Sequence, residues 1–272
     1  MFKRITPLVL TFVLTSFFLI VSNLNSQARP LDEILKSKVI RLGVNPGLAP
    51  LAKFDDKNQI VGFDVDIGNK LAEMLGVKLE VVQTGSPDRI PFVSTGKIDI
   101  VMGAMTRNPA RQLVIDYTLP VHTEVFGVLT TDKKNYKSTG DMNTADTTLA
   151  QVRGTMPADW ATKNLPNAKI LLFENYPDAM RAIAQGRADS IVDVIDFLGE
   201  QMNIHKNIKW KIVQKEIDTW YCGIGVAKGN YTLQQWLNVA IFEMHRTGFV
   251  DATWKKWFGI DQIYSVKSTP YF

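Results

Sequence analysis

The chain has one cysteine, Cys222, and three histidines among its 272 residues. A single thiol excludes an internal disulfide framework. His122, His205 and His245 stand far apart, and neither H-x-x-x-H nor C-x-x-C spacing occurs. No metal site is supported, and no cofactor is expected. There is no Gly-rich phosphate loop, no internal repeat and no low-complexity segment. Past Val21 there is no further long apolar run, so a soluble exported protein is expected. Charge of one sign is also scarce, with 31 basic against 27 acidic residues. So small an excess gives no reason to expect nucleic acid or an anionic membrane as partner.

What is present starts with the pattern of a secretory signal over residues 1–28. Lys3 and Arg4 form a basic start, Ile5 to Val21 carries no charge, and Ser26-Gln27-Ala28 ends in small residues where a signal peptidase reads. Cleavage is expected after Ala28. The alternative is a membrane anchor, but the run is about 17 residues where a span needs about 20. Without Lys3 and Arg4 the balance is 29 basic to 27 acidic. The remaining 244 residues suit one large domain or two small lobes.

Strand and helix signals alternate after the signal. Val39–Val44 reads as a strand followed by the turn-rich Asn45-Pro46-Gly47-Leu48-Ala49-Pro50. Asp64 reads as the cap of a helix that Gly76 stops. Val77–Val82 is a strand, Arg89–Thr95 a short helix, and Ile98–Met102 a buried strand. The polar stretch 131–148 marks a change of lobe. The pattern then restarts: a strand over 148–152, a turn at Arg153-Gly154-Thr155, a strand over 169–173 and a helix over 177–184. A short strand at 190–192, a helix over 194–202 capped by Asp193, and a strand over 208–213 follow. Trp220–Ala227 is extended, and helices over 233–246 and 250–258 close the chain. Such alternation predicts an α/β fold with a largely parallel sheet, and ligands bind beyond strand C-termini in such sheets.

Two loops fall at such ends, Asn45–Leu48 and Gly103–Arg111. The second follows a strand with small residues, a turn and Pro109 early in a helix, which leaves backbone N–H groups facing an anion. Arg111, five residues after Thr106, brings a planar five-donor fork that matches a carboxylate. Read locally, Arg111 serves equally well as a surface arginine and Thr106 as a helix cap.

The whole pattern resembles a periplasmic solute-binding protein of the polar amino acid type, the receptor of an ABC importer (bacterial extracellular solute-binding protein family 3). The motifs are Gly62-Phe63-Asp64-Val65-Asp66, Gly96-Lys97-Ile98-Asp99-Ile100, Thr106 through Arg111 with Ile115 through Pro120, Arg153-Gly154-Thr155, Gly186-Arg187-Ala188-Asp189, Gly223 through Gly229, and Lys256-Trp257-Phe258-Gly259. Each is weak alone; their order and spacing are specific. The resemblance implies a type II two-lobe α/β fold with two crossover strands as the hinge, near His122–Leu129 and Trp220–Val226. Residues 29–125 would open lobe 1, 126–222 would form lobe 2, and 223–272 would return to lobe 1 and end in a tail.

It also implies site roles. Arg111 would clamp a ligand α-carboxylate with the amides of Ala104 and Thr106 and the Thr106 hydroxyl. Thr155 would contribute from lobe 2, and Asn45 and Leu48 would line the side-chain pocket. Arg89 resembles the arginine that meets the acidic side chain in the glutamate and aspartate branch; a surface arginine at a helix start is the other reading. The ligand would be an amino acid, acidic or polar, or a related carboxylate. A membrane permease would be the partner, the periplasm the location, and a monomer the state.

Three positions depart from the pattern. The family's ammonium-binding Asp corresponds to Val194, with the nearest acids at Asp193 and Asp196. Asn45 stands where the acidic branch carries Arg, and Leu48 where many members carry an aromatic. A buried ammonium without an anion is costly, so two other readings stay open. One is an exported dehydratase acting on prephenate-type acids, with Glu124, Glu174 or Asp193 as general acid. The other is a sensory module acting in trans. Cys222 reads as a small buried packing residue, His122 as a structural hydrogen-bonding one, and Trp254 and Trp257 as core.

Overall fold

The computed structural model describes residues 28–267. The expected export signal, save its last residue, lies outside them. Helix α1 (Leu31–Ser37) leads into β1 (Val39–Val44). A small hairpin, β2 (Lys53–Phe54) with β3 (Ile60–Val61), precedes α2 (Phe63–Leu75). Then come β4 (Lys78–Gln83), α3 (Arg89–Ser94), β5 (Ile100–Val101) and the single turn α4 (Pro109–Gln112). The 17-residue β6 (Ile115–Thr131) carries the chain into its second half. There β7 (Thr148–Val152), α5 (Met156–Asn164), β8 (Lys169–Phe173), α6 (Tyr176–Ala184), β9 (Ser190–Val194) and α7 (Ile195–Ile204) follow. The 18-residue β10 (Trp210–Ala227) returns to α8 (Tyr231–Arg246) and α9 (Phe249–Phe258).

Apart from the β2–β3 hairpin, the strands form one eight-stranded sheet in the order β4-β1-β5-β10-β6-β9-β7-β8. It is mixed, not largely parallel. β1 runs parallel to β4 and β5, and β7 runs parallel to β8 and β9. β6 and β10 lie antiparallel between those two groups. A chain that visits a second half and comes back must cross the junction in both directions, and the two crossings pair with each other. The strands expected separately at 208–213 and 220–227 are therefore one strand, interrupted by shifts in register between Ile212 and Asp218.

The largest apolar cluster runs through both halves, from Ile40 and Phe63 to Ala150 and Ile191, and smaller clusters lie within each. Phe63, Trp254 and Phe258 knit α2 to α9, with Trp254 and Phe258 stacked 3.7 Å apart and Phe63 edge-on to Trp254 at 5.4 Å. His122 is buried in the same cluster, 5.4 Å from the Trp254 ring. Val128, Leu149, Ala161 and Val192 pack together in the second half. Two expected caps are absent. α2 begins at Phe63, after Gly62 with φ of 149°, and Asp64 is buried without capping. Gly62 sits there because a Cβ would come 2.3 Å from the Leu51 carbonyl oxygen. At α7 the flanking residue is Val194, and Asp193 belongs to β9.

Candidate functional site

The loops after β1, β5 and β7 meet near the junction of the two halves. Asn108 caps α4, its Oδ1 accepting from the Arg111 amide at 2.8 Å, and Pro109 follows at the first helical position. This turn points the Arg111 side chain inward, where it is 9% exposed. Its Nη1 donates to the Thr106 carbonyl at 3.1 Å, and its Nη2 donates across the junction to the Gly154 carbonyl at 3.0 Å. Gly154 belongs to the turn between β7 and α5. Its φ of +74° and the close approach of Pro87, 3.2 Å from a built Cβ, both demand glycine.

Arg89 also lies in this place, fully interior, but its donors are occupied by backbone. It donates to the carbonyls of Ser86 (3.1 Å), Gly103, Ala104 (3.0 Å) and Gly154 (3.3 Å). Burial, then the neighbouring charge of Arg111, lowers its pKa. It is a brace for the loop and not the free surface arginine of the alternative reading. Ala104, with φ of 59°, presents its carbonyl to Arg89 and to the Thr106 amide at 2.9 Å. The Thr106 amide is therefore bonded within its own turn, and the Thr106 hydroxyl donates to Glu124 Oε2 at 2.9 Å.

The remaining expected residues divide. Asn45 is 7% exposed and holds its own loop: Nδ2 donates to Ser86 Oγ at 3.0 Å, and Oδ1 accepts from the Gly47 amide at 3.0 Å. Leu48 is buried in the large core cluster. Thr155 caps α5, its hydroxyl accepting from the Ala158 amide and donating to the Val152 carbonyl at 2.8 Å. The group in that turn that reaches the junction is the Gly154 carbonyl. Asp193 is buried, with Oδ1 accepting from the Val194 amide and Oδ2 without a partner.

Three carboxylates thus lie interior within reach of the Arg89 charge: Asp64, Glu124 and Asp193. Burial pushes both Asp64 and Asp193 up to about 8, against the pull of the Gly103 and Val194 amides respectively. The Glu124 charge adds to both shifts, and Arg89 opposes them. Burial raises the Tyr176 hydroxyl well above its ordinary value, with Asp193 contributing. Cys222 is buried beside Thr106 and Glu124, and burial raises its thiol well above the ordinary range. Glu174 is elsewhere, paired with Arg153 on the surface. Among the described residues no cluster could hold a metal ion, and no helix is long and apolar enough to cross a membrane.

Residues 40–260 match bacterial extracellular solute-binding proteins, family 3. The chain belongs to that family. The ABC transporter glutamine-binding protein of Bacillus subtilis is 27% identical over 208 residues, 75% of each chain. An ancestral amino acid-binding protein, described as a precursor of cyclohexadienyl dehydratase, has a solved structure at 33% identity. It superposes with a TM-score of 0.78 over 84% of this chain and 99% of its own. The cyclohexadienyl dehydratase of Pseudomonas aeruginosa matches at 27% over 170 residues, 62% of this chain and 63% of its own. The fold is that of the type II binding proteins, with β6 and β10 as the two strands crossing between lobes.

Sequence reasoning used Glu124 only as a possible general acid and overlooked Asp64, Ser86 and Tyr176. A signal for Glu124 was available: it is the one charged residue in the run Val121–Leu129. Asp64 carried a misleading one, since an acid at a helix start reads as a cap.

Proposed function

We propose that this chain is the periplasmic receptor of an ABC importer, exported by a cleaved signal, binding an amino acid as a monomer and passing it to a membrane permease. The observation that carries the reading is the Arg111 guanidinium, buried where the halves meet and bonded to carbonyls of both, Thr106 and Gly154. A ligand carboxylate is the natural replacement for those carbonyl partners, because its two oxygens match the fork and its charge matches the guanidinium. Residues 29–125 and 223–272 form lobe 1 in this reading, and 126–222 form lobe 2. Closure is a hinge motion on β6 and β10.

In this scheme Arg111 is the clamp, Thr106 and Ala104 shape the turn under the carboxylate, and Thr155 fixes the turn that offers Gly154. The loop held by Asn45 walls the side-chain pocket, with Leu48 packed in the core behind it. Arg89, with four of its five N–H donors on backbone carbonyls, braces the site and is poorly placed to meet an acidic ligand side chain. This favours a ligand that is not acidic. The buried carboxylates, Asp193 among them, supply the counter-charge for an ammonium that Val194 lacks.

The test is a thermal-shift and calorimetric screen of the protein from Arg29 onward against the standard amino acids and their deaminated analogues, since a ligand of the native state raises the melting temperature. An α-amino acid that shifts wild type and fails with Arg111→Ala supports the reading. Stabilisation only by carboxylates that lack an amino group counts against it. One observation favours the second reading, an exported dehydratase: Asp193, raised to about 8, holds its proton at neutral pH as a general acid must. Turnover of prephenate by the purified protein decides between them.

A further inference from the structure

Glu124 occupies the centre of the molecule. It lies on β6, opposite Trp220 of β10, and is 2% exposed. Its charge is felt by Asp64 of α2 and Arg89 of α3 on one side, and by Tyr176 of α6, Asp193 of β9 and Asp196 of α7 on the other. His122 of its own strand and Cys222 of β10 complete the titratable surroundings. One carboxylate oxygen takes the Thr106 hydroxyl at 2.9 Å; the other, Oε1, is buried and has no partner. Asp193 repeats the condition: 1% exposed, Oδ1 bonded to a backbone amide, Oδ2 buried without a partner.

Leaving such an oxygen buried with only a neutral neighbour, the Tyr176 hydroxyl beside Asp193 and the Cys222 thiol beside Glu124, is costly. Nearby cations do not relieve either one. Arg89 is committed to four carbonyls, and Arg111 to Thr106 and Gly154. The two oxygens also differ in place. Glu124 adjoins the Thr106 turn, which lies under the proposed carboxylate clamp. Asp193 adjoins Tyr176, whose ring lies against the Gly47 loop at the wall of the side-chain pocket. An α-ammonium sits one carbon from its carboxylate, so it falls to the acid beside Thr106. A second donor further along the ligand falls to the acid beside Tyr176.

We infer that the ligand is an amino acid with a basic side chain, its α-ammonium held by Glu124 Oε1 and its side-chain cation by Asp193 Oδ2. This rests on the receptor reading and extends it by naming the ligand class and two specificity residues. The hinge strand, not the strand before α7, then supplies the ammonium site, which accounts for Val194 at the position where an acid was expected. The raised pKa of Asp193 agrees with the assignment: capture of a cation makes it give up its proton, so binding at neutral pH releases protons to the buffer.

The experiment compares arginine with citrulline and lysine with norleucine, pairs alike in shape and different in charge, by calorimetry on the wild-type protein at pH 7. The expected result is that each basic member binds at least about 30-fold more tightly. Asp193→Asn should erase that difference, and Glu124→Gln should weaken every α-amino acid. Repeating the arginine titration in buffers of different ionisation enthalpy reads the proton release on the unmodified chain. Equal affinity within the pairs, or a preference for glutamate, overturns the inference and leaves the receptor reading standing. Failure of every amino acid to bind wild type overturns the receptor reading itself, and this inference with it.

Discussion

At the scale of single residues, the molecule is defined by polar groups that its interior does not fully satisfy. Asp64 is buried with the Gly103 amide as its one opposing donor, and burial holds its proton on up to about pH 8. The unfolded chain releases that proton near pH 4. Between these values the folded state binds more protons than the unfolded state, so stability falls as pH rises through the window. The free protein is expected to melt at a lower temperature at pH 8 than at pH 5. Asp64→Asn should flatten that slope and raise the pH 8 midpoint, as thermal scans across pH would record. Arg111→Ala should cost about 2–5 kcal/mol of ligand binding while circular dichroism stays unchanged; undiminished affinity would sink the clamp. Arg111 was legible in the sequence because a Pro-capped turn after a small-residue strand end is a local pattern. The fate of Asn45, Arg89 and Thr155 was not. Each spends its donors and acceptors on backbone, and which backbone comes within reach is decided by the meeting of distant loops.

At the scale of elements, turns and strand ends carry the architecture. The start of β5 depends on Asp99, whose side chain is fully enclosed and receives Arg29 and Arg41. Burial works to raise its pKa, and the two guanidiniums and the Arg41 amide overcome that and hold it below the usual value. Its contribution is thus present above about pH 4 and lost as pH falls through the depressed value. Asp99→Asn is expected to cost about 3 kcal/mol at pH 7, less on acidification, in urea titrations at both pH values. Arg29 is the first residue after the expected cleavage point, so the mature chain would start at an anchored position: its carbonyl also takes the Asn230 side chain at 2.9 Å. Gly154→Ala places a Cβ against Pro87 and strains a left-handed backbone, each disfavouring contact between the halves. Weaker ligand binding together with a lower melting temperature of the free protein is the expected signature. Helices with clear periodicity, such as 231–246 and 249–258, were legible to within two residues. The union of two predicted strands into β10 was not, because the irregular residues 214–218 look like a loop when their partner strand is unknown.

At the scale of the whole molecule, one sheet runs through both halves, and among the described residues β6 and β10 are the strands that cross between them. In the proposed hinge closure, motion is concentrated there, since every other strand of this sheet pairs within its own half or with a crossing strand. Small-angle scattering should show a smaller radius of gyration for the ligand-bound protein than for Gly154→Ala under the same conditions, and gel filtration should give a monomer in both. The two-lobe plan was legible because its motifs recur in order along the chain, while the mixed sheet was hidden in the direction of the two long strands. The Gly154 carbonyl gives this plan a kinetic character. It is a single atom from one half that holds two guanidiniums of the other, so one rotation of a few degrees removes a partner from both at once. Hold and release are then coupled into a single event. In the proposed receptor a ligand carboxylate takes the place of that carbonyl at Arg111, so arrival of the cargo is coupled to the breaking of a contact between the halves.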